Sequence, residues 1–471
     1  MTSPFATATW ISSPHPFDLH EVYLDFLSPP FDGRAGKSVE IFISADARYR
    51  LWLNGEFVAR GPVRSYPQRQ GYDRIDVSRM LRPNGKNVLA AQVYQPGYSH
   101  FSYVHRGAVG LLVDVHLDGT TILASDSSWK VRRSPTFGNP YFNGIVSRVS
   151  IYGANTENQL IQSKDEWQLG EQSSFKVPME NARIVAPPEG YIWSNLHERI
   201  TPMSTERDLE ATLIESRLIT QDIGMKGFPH EEVRLGWQLG QKTSFAEEDG
   251  WIFPRLQDGA TAIWLYDLGR SYTCQGWFEV QGIQNSSDFV TISITYAEKQ
   301  VDSELIISNP ATYCRVQLTD SFTFAPPAED QAVVPFNLRG GRYILFRVSG
   351  ALDDDFKIRI HTRVAEYPLE ITKPLDTGDP QLNAISSLCE STFKACLQDS
   401  FVDCVWRESS QWVGDGLIQG LIMSSMTDDL RPVRKLLLDA AAGQYPDGLL
   451  PSVAPAEVHA YTIPRYTCMW I

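Results

Sequence analysis

A short segment of the sequence brings together side chains that can perform acid–base chemistry. The carboxylic acids Asp403, Glu408 and Asp415 alternate there with Arg407 and Trp412. Glycoside hydrolysis needs such a set, because a protonated acid must reach the leaving oxygen, anionic neighbours stabilise positive charge at the anomeric carbon, and a flat apolar ring carries the sugar. An acidic loop that caps a helix beginning near Asp415 would have the same composition. Residue types alone therefore leave both interpretations open.

The spacing of these residues favours the catalytic interpretation. The segment resembles the signature Asp-Cys-Pro-x-Arg-Glu…Trp-x-Gly-Asp of bacterial and fungal α-L-rhamnosidases, through Asp403, Cys404, Arg407, Glu408, Trp412, Gly414 and Asp415. It departs from that signature at Val405, where the family usually has proline. These enzymes are glycoside hydrolases built on a barrel of paired helices, so the resemblance predicts both an activity and a fold.

The resemblance also implies a role for each side chain. Members of this family invert configuration, and Glu408 corresponds to the general acid that protonates the leaving oxygen of a terminal α-L-rhamnoside. Asp403, Arg407 and Asp415 would bind the sugar hydroxyls and stabilise the oxocarbenium-like transition state, and Trp412 would line the sugar pocket. The general base of the family is a second glutamate on a much later helix.

We expect residues 371–471 to form only the start of the (α/α)6 catalytic barrel. Twelve helices need at least roughly 190 residues at ordinary helix and loop lengths, and this segment offers about half of that. We therefore expect a barrel truncated at Ile471. Glu457 is the only glutamate after Glu408, and we expect it in an exposed loop. The sequence thus predicts that the general base is absent from this chain.

Helical periodicity begins after Pro374. Asp379 is a good N-cap before Pro380, and three-four spacing marks one helix face formed by Leu382, Ile385, Leu388, Cys389, Thr392, Phe393 and Cys396. Further helices are predicted over roughly 415–426, from after Asp428 to about Ala442, and from near Tyr461.

The rest of the chain is predicted to form two β-sandwiches, a galactose-binding-like jelly roll over 1–186 and a concanavalin-like domain over 187–370. Asn54-Gly55 between apolar runs indicates a tight hairpin, and Pro83-Asn84-Gly85 predicts a further turn. The run that begins at Val290 alternates like a half-buried strand. Two charged residues of the second domain, Glu298 and Arg342, are expected to form a salt bridge or a solvated strand face and are assigned no ligand.

Composition limits the classes of partner. The formal net charge of −14 disfavours nucleic acids and anionic membranes as partners and is compatible with a neutral carbohydrate. The sequence shows no apolar run long enough to span a membrane, no secretory signal and no zinc-type spacing of cysteine and histidine. We therefore expect a cytoplasmic protein without cofactor or metal. A truncated barrel would expose apolar helix faces, which makes a homo-oligomer possible.

Three hypotheses follow from the sequence. The first is an α-L-rhamnosidase, and whether the 471 residues act alone is a separate question. The second is a non-catalytic carbohydrate-binding or scaffold protein derived from such an enzyme. The third is a related helical-barrel glycosidase for another sugar, which a substrate panel would distinguish from the first.

Overall fold

The computed structural model describes residues 3–15, 22–33, 37–82, 85–137, 157–170, 178–224, 229–284, 288–301, 304–305, 307, 318–458 and 461–471. Contacts divide the chain into two compact units. Unit 1 comprises Met1–Pro135, Asp165–Thr201 and Arg434–Ile471, and unit 2 comprises Thr136–Lys164 and Pro202–Val433. The predicted turn residues Pro83 and Asn84 lie outside the described residues.

Unit 1 contains a seven-stranded sheet, a six-stranded sheet and a two-stranded ribbon. Its strands are β1 (Trp10–Ser12), β2 (Val22–Leu27), β3 (Phe31–Asp32), β4 (Val39–Asp46), β5 (Arg48–Leu53), β6 (Glu56–Gly61), β7 (Gly71–Asp76), β8 (Lys86–Asn87), β9 (Leu89–Gln95), β10 (Gly110–Leu117), β11 (Thr120–Ala124), β12 (Lys130–Arg133), β14 (Glu180–Asn181), β15 (Arg183–Ala186) and β16 (His197–Glu198). The seven-stranded sheet has the order β15-β1-β10-β4-β7-β16, with β11 beside β10. The six-stranded sheet has the order β14-β12-β2-β9-β5-β6.

The core of unit 1 joins residues from both large sheets. Ile43 and Leu111 of the first sheet lie in one buried cluster with Leu24 and Val93 of the second, which is the arrangement of a β-sandwich. The predicted hairpin is confirmed: Asn54 and Gly55 have φ of 56° and 86° and join β5 to β6. Such a turn needs positive φ at both positions, which glycine and asparagine tolerate best.

Unit 2 is built on one twelve-stranded sheet, with a separate two-stranded ribbon at Gln300–Val301 and Glu304–Leu305. Its strands are β13 (Asn158–Ile161), β17 (Thr205–Asp208), β18 (Thr212–Ile219), β19 (Gln241–Thr243), β20 (Ala246–Glu248), β21 (Trp251–Phe253), β22 (Thr261–Gln281), β23 (Val290–Ala297), β24 (Gln300–Val301), β25 (Glu304–Leu305), β26 (Thr319–Phe324), β27 (Gln331–Val333), β28 (Arg339–Ser349) and β29 (Lys357–Glu366). The main path runs β13-β26-β23-β28-β22-β29-β21-β20.

The long strand β22 holds this sheet together. Its first half pairs with β18, and after an irregularity between Asp267 and Tyr272 its second half pairs with β29. β13 lies within the range 1–186 expected for the first sandwich, but it pairs in parallel with β26 and so adds a strand to the second sheet.

A helix that the sequence analysis did not predict covers part of this sheet. Helix α1 (Pro229–Leu239) places Val233 and Trp237 in one buried cluster with Ala297 at the end of β23. The strand predicted from Val290 exists, but it is buried along almost its whole length because α1 covers the face that was expected to meet solvent.

Four helices follow the β region: α2 (Pro380–Ala395), α3 (Val413–Met426), α4 (Arg431–Ala442) and α5 (Pro464–Trp470). All four predicted helices are therefore confirmed. The Asp379 carboxylate accepts hydrogen bonds from the Gln381 and Leu382 amides, as a side chain at the N-cap does. Together the β-sheets and the partial set of helices agree with the predicted fold class. Within the described part of the chain, no helix is long and apolar enough to cross a membrane.

Candidate active site

The predicted catalytic segment is the connection between α2 and α3. Its entry is fixed by buried backbone, since the Val402 amide donates to the Cys396 carbonyl oxygen at 2.9 Å and Phe401 and Val402 are fully buried. Gln419 of α3 donates from its side-chain amide to the Val402 carbonyl oxygen at 2.8 Å. The two helices therefore hold the base of this loop from both sides.

A pair of reciprocal hydrogen bonds closes the loop. The Asp403 amide donates to the Ser410 carbonyl oxygen at 2.9 Å, and the Ser410 amide donates to Asp403 Oδ1 at 3.0 Å. Ser409 between them has φ of 51°, a left-handed conformation that reverses the chain. This closure brings the Asp403 carboxyl beside the side chain of Glu408.

Both carboxylate oxygens of Glu408 receive a hydrogen bond. Arg407 Nη2 donates to Oε1 at 2.5 Å, and Trp412 Nε1 donates to Oε2 at 2.8 Å. The Glu408 side chain is only 12% exposed, whereas that of Arg407 is 34% exposed. The carboxyl group is thus fixed in direction and shielded, while the guanidinium beside it remains open to solvent.

Two further carboxyl groups, those of Asp403 and Asp415, lie near Glu408, and their surroundings raise the pKa of both. Burial raises the pKa of Asp403 to about 6, and the negative charge of Glu408 and a hydrogen bond between the two carboxyl groups act in the same direction. Burial and the Glu408 charge also raise the pKa of Asp415, which lies in the first turn of α3. Neighbouring carboxyl groups that share a hydrogen bond hold a proton more readily than an isolated one, so the cluster can carry a proton near neutral pH.

The thiol of Cys404 links two of these residues. Its sulfur accepts a hydrogen bond from the Glu408 amide at 3.3 Å, and the side chain also bonds to the Asp403 carboxyl, which lowers the pKa of that carboxyl. Burial raises the pKa of the thiol to about 11. The thiol is therefore neutral, and its hydrogen bonds connect Asp403 to the turn that carries Arg407 and Glu408, which we call the acid turn.

The turn that carries Arg407 and Glu408 rests on the β-sheet of unit 2. Trp406 Nε1 donates to the carbonyl oxygen of Tyr296 at 3.0 Å. Gly340 of β28 lies so close to Val405 that a Cβ atom at Gly340 would overlap the Val405 carbonyl oxygen. The sheet therefore sets the height and direction of the acid turn.

The structure brings all five predicted site residues together around Glu408. Arg407 and Trp412 bond to it directly, and Asp403 and Asp415 interact with it electrostatically. The chemical roles assigned to them stay predictions. Within the described residues, no group of three or more histidine, cysteine, aspartate or glutamate side chains is placed to hold a metal ion.

Two residues that the sequence analysis left without a role have different environments. Arg342 forms a two-bonded ion pair with Asp267 at 2.8 and 2.7 Å, as expected of a structural salt bridge. Glu298 instead follows β23 directly, and burial raises its pKa, while the positive charge of Arg407 acts in the opposite direction. A carboxylate at the end of an alternating strand was the available signal, but the sequence does not show which loop that strand end meets.

Glu457 has partners within unit 1. Arg106 Nη1 lies 2.5 Å from one of its carboxylate oxygens, and Ser99 Oγ donates to the other at 2.9 Å. The side chain is 43% exposed, as expected for this residue, and it forms a surface ion pair.

Two segments of the chain match known domain families. Residues 371–471 match the bacterial α-L-rhamnosidase six-hairpin glycosidase domain, and residues 35–149 match the α-L-rhamnosidase N-terminal domain. These two segments therefore match domains of α-L-rhamnosidases, and the resemblance stated from the motif is confirmed.

Solved structures show the same fold. The chain is similar to the rhamnosidase of glycoside hydrolase family 78 from Bacillus sp. GL1, with a TM-score of 0.77 and 19% identity over 98% of this chain and 66% of that one. It is also similar to α-L-rhamnosidases from Dictyoglumus thermophilum (TM-score 0.64, 18% identity, 97% of this chain and 46% of that one) and Aspergillus terreus (TM-score 0.62, 18% identity, 96% and 47%). The chain thus spans just under two thirds of the first relative and about half of the other two. A search among curated protein sequences finds no match.

Proposed function

We propose that this chain carries the acid side of an α-L-rhamnosidase active site, with Glu408 as the general acid in the inverting hydrolysis of terminal α-L-rhamnosides. The observation that supports this most is the environment of Glu408. Its two oxygens are held by Arg407 and Trp412, and a carboxyl group with a raised pKa lies on either side of it. A structural acidic loop has no need of a shielded glutamate with two neighbouring carboxyl groups whose pKa values are raised.

The proposed reaction follows from these contacts. The proton held between Asp403 and Glu408 passes through Glu408 to the glycosidic oxygen as the bond to the anomeric carbon breaks. Asp403 and Asp415, left with negative charge, stabilise the positive charge that develops on the sugar ring. The indole of Trp412 offers its ring to the apolar face of the sugar while its N–H keeps Glu408 in place.

The proposal assigns an acid and leaves the general base unassigned in this chain. An inverting glycosidase needs a second carboxylate about 6.5–9.5 Å from the acid, with room for water between them. Asp403 shares a hydrogen bond with Glu408 and therefore stands too close. Glu457 is already engaged by Arg106 and Ser99.

The test is hydrolysis of a chromogenic α-L-rhamnoside by the purified chain, its Glu408→Gln variant and a matched control, Glu390→Gln. Glu390 lies on α2 and pairs with Lys394 at 2.5 Å, so its replacement also removes one ion-paired carboxylate. Because no general base is assigned in this chain, we expect weak activity at most in the wild type and the control, and its loss in Glu408→Gln. A Glu408→Gln variant as active as the control, or a folded wild type that neither hydrolyses nor binds an α-L-rhamnoside, would overturn the proposal. Retained rhamnoside binding in an inactive protein would favour the carbohydrate-binding hypothesis.

The sugar is tested in the same way. A panel of chromogenic glycosides of other deoxyhexoses and of uronic acids separates an α-L-rhamnosidase from a related glycosidase for another sugar. We expect the rhamnoside to be hydrolysed fastest. Nuclear magnetic resonance of the first-formed sugar anomer distinguishes inversion from retention.

A further inference from the structure

The β-sheet of unit 2 supports the acid turn on both sides of Glu408. Before the acid, Trp406 Nε1 donates to the carbonyl oxygen of Tyr296 at 3.0 Å. After the acid, the support comes from a glutamine that does not belong to the motif. Gln398 lies in the connection that leads from α2 into the motif, and its side chain joins the sheet to Ser409.

The side-chain amide of Gln398 forms a hydrogen bond at each of its two ends. Its nitrogen donates to Thr273 Oγ1 of β22 at 3.0 Å, and its oxygen accepts a hydrogen bond from Ser409 Oγ at 3.3 Å. Thr273 pairs with Gly340 of β28, the residue that lies against the Val405 carbonyl oxygen. The same position of the sheet therefore supports the turn at Val405 directly and at Ser409 through Gln398.

The backbone around Gln398 is itself fixed. The Gln398 amide donates to the Ser400 carbonyl oxygen at 2.9 Å, and Leu397 pairs with Phe401 in an isolated bridge. Leu397, Ser400 and Phe401 are all buried. Because its backbone is held in this way, the Gln398 side chain can fix the distance between the sheet and the acid turn.

The residue that Gln398 contacts is the one at which the acid turn reverses. Ser409 has φ of 51°, a left-handed conformation that is unfavourable for a residue with a side chain and persists where surrounding contacts enforce it. Because Ser409 follows Glu408 directly, its backbone conformation also sets the direction of Glu408. A hydrogen bond to the Ser409 hydroxyl therefore affects the acid through the backbone.

We propose that Gln398 is a positioning residue of the active site, which joins Ser409 to Thr273 and so keeps Glu408 directed at the leaving oxygen. The inference rests on the proposed function of Glu408. Loss of this link weakens proton donation and leaves sugar binding intact, because the link holds the direction of the acid and not the sugar. A residue needed only for folding would instead affect all substrates alike.

The distinguishing measurement compares steady-state kinetics on two aryl α-L-rhamnosides. The phenyl glycoside needs a proton on its leaving oxygen, whereas the 2,4-dinitrophenyl glycoside departs without one. Gln398→Leu removes both hydrogen bonds, Thr273→Val removes the partner in the sheet, and Thr273→Ser keeps the hydroxyl. The matched control is Gln444→Leu, since the Gln444 side-chain amide donates to the Gly448 carbonyl oxygen at 2.8 Å in a turn outside the motif.

We expect Gln398→Leu and Thr273→Val to lose about fivefold in kcat on the phenyl glycoside, with KM little changed. On the dinitrophenyl glycoside the same variants should lose less than about twofold. Thr273→Ser and Gln444→Leu should behave like the wild type on both. Equal losses on the two substrates, or no loss on the phenyl glycoside, would overturn the inference.

A second measurement is independent of turnover and decides the inference where rates are too low to compare. Hydrogen exchange followed by mass spectrometry reports how often the amides of residues 404–410 open. We expect their exchange to become about fivefold faster in Gln398→Leu and Thr273→Val, with no change in helix α1. Unchanged protection of this segment in both variants would overturn the inference. Faster exchange in a chain that neither hydrolyses nor binds an α-L-rhamnoside would retain the contact and reject the proposed function, so the two failures are distinguishable.

Discussion

The indole N–H of Trp412 donates to Glu408 Oε2 at 2.8 Å, so one residue of the motif fixes the direction of another. The two residues are four apart, with Trp412 immediately before helix α3. The same tryptophan can therefore orient the acid and present its ring to a sugar. Substitutions at Trp412 can separate its role in orienting Glu408 from its role in contacting the sugar.

Replacement of Trp412 by phenylalanine keeps a ring and removes the donor. A hydrogen bond to a charged group contributes about 1.5–3 kcal/mol, so we expect kcat to fall about tenfold or more, with a smaller change in KM. Trp412→Leu should also raise KM, because the ring is lost. Steady-state kinetics on an aryl rhamnoside measures both. Trp470→Phe is the matched control, since Trp470 Nε1 donates to the Leu437 carbonyl oxygen at 3.2 Å, away from the motif. Equal effects at both positions would contradict the assignment.

The raised pKa of Asp403 predicts a pH dependence of stability. The pKa is about 6 in the folded chain and 3.8 in the reference state, so the folded form binds the proton more tightly. The stabilising contribution is therefore complete below about pH 4 and is lost as the pH rises through 6. Its size is of the order of 3 kcal/mol. Denaturant unfolding at several pH values should show that Asp403→Asn removes this part of the slope between pH 4 and 6. Parallel curves for the variant and the wild type would exclude the raised pKa.

We expect Cys404 to affect kcat through its hydrogen bonds and not as a reactive thiolate. Cys404→Ala removes the acceptor of the Glu408 amide, and we expect kcat to fall several-fold, by about 1 kcal/mol in the barrier. Cys404→Ser keeps a donor and an acceptor and should recover most of the rate. Because the pKa of this thiol is about 11, iodoacetamide should modify the exposed Cys389 and Cys468 first. Rapid labelling of Cys404 at neutral pH would contradict this placement.

The close approach of Gly340 to the acid turn predicts a steric effect. Gly340→Ala places a methyl group against the Val405 carbonyl oxygen, and overpacking of this kind costs about 1–3 kcal/mol. We expect a lower free energy of unfolding and a lower kcat, since Glu408 must move with the turn. The control is Gly420→Ala in α3, where an added Cβ meets Val433 only at ordinary contact distance. Equal changes in the free energy of unfolding and in kcat for the two variants would show that the acid turn does not pack closely against Gly340.

Local sequence patterns predicted helices α2 to α5 and the site motif, because the interactions that form them join residues close together in the sequence. Asp379 caps α2 through amides two and three residues later, and the acid turn closes between Asp403 and Ser410. What the sequence did not predict depends on distant contacts. The bond between Trp406 and Tyr296 joins residues 110 positions apart, and the parallel pairing of β13 with β26 depends on the folded sheet.

Helix α1 was missed for a different reason. Its buried residues include the polar His230 and Glu232 and the small Gly236 beside Val233 and Trp237, so no regular apolar pattern stands out among the strands. The available signals were Pro229 at its first position and the acidic pair Glu231 and Glu232 in its first turn, both typical of helix starts. The sequence likewise does not show that the charge of Arg407 acts on Glu298.

The most direct test of the central claim compares two leaving groups in the Glu408→Gln variant. Phenyl α-L-rhamnoside needs protonation of its leaving oxygen, whereas the 2,4-dinitrophenyl glycoside departs without it. If Glu408 is the general acid, the variant should lose about 100-fold or more of kcat/KM on the phenyl substrate and far less on the dinitrophenyl one. An equal loss on both substrates would contradict the assignment of Glu408 as the acid.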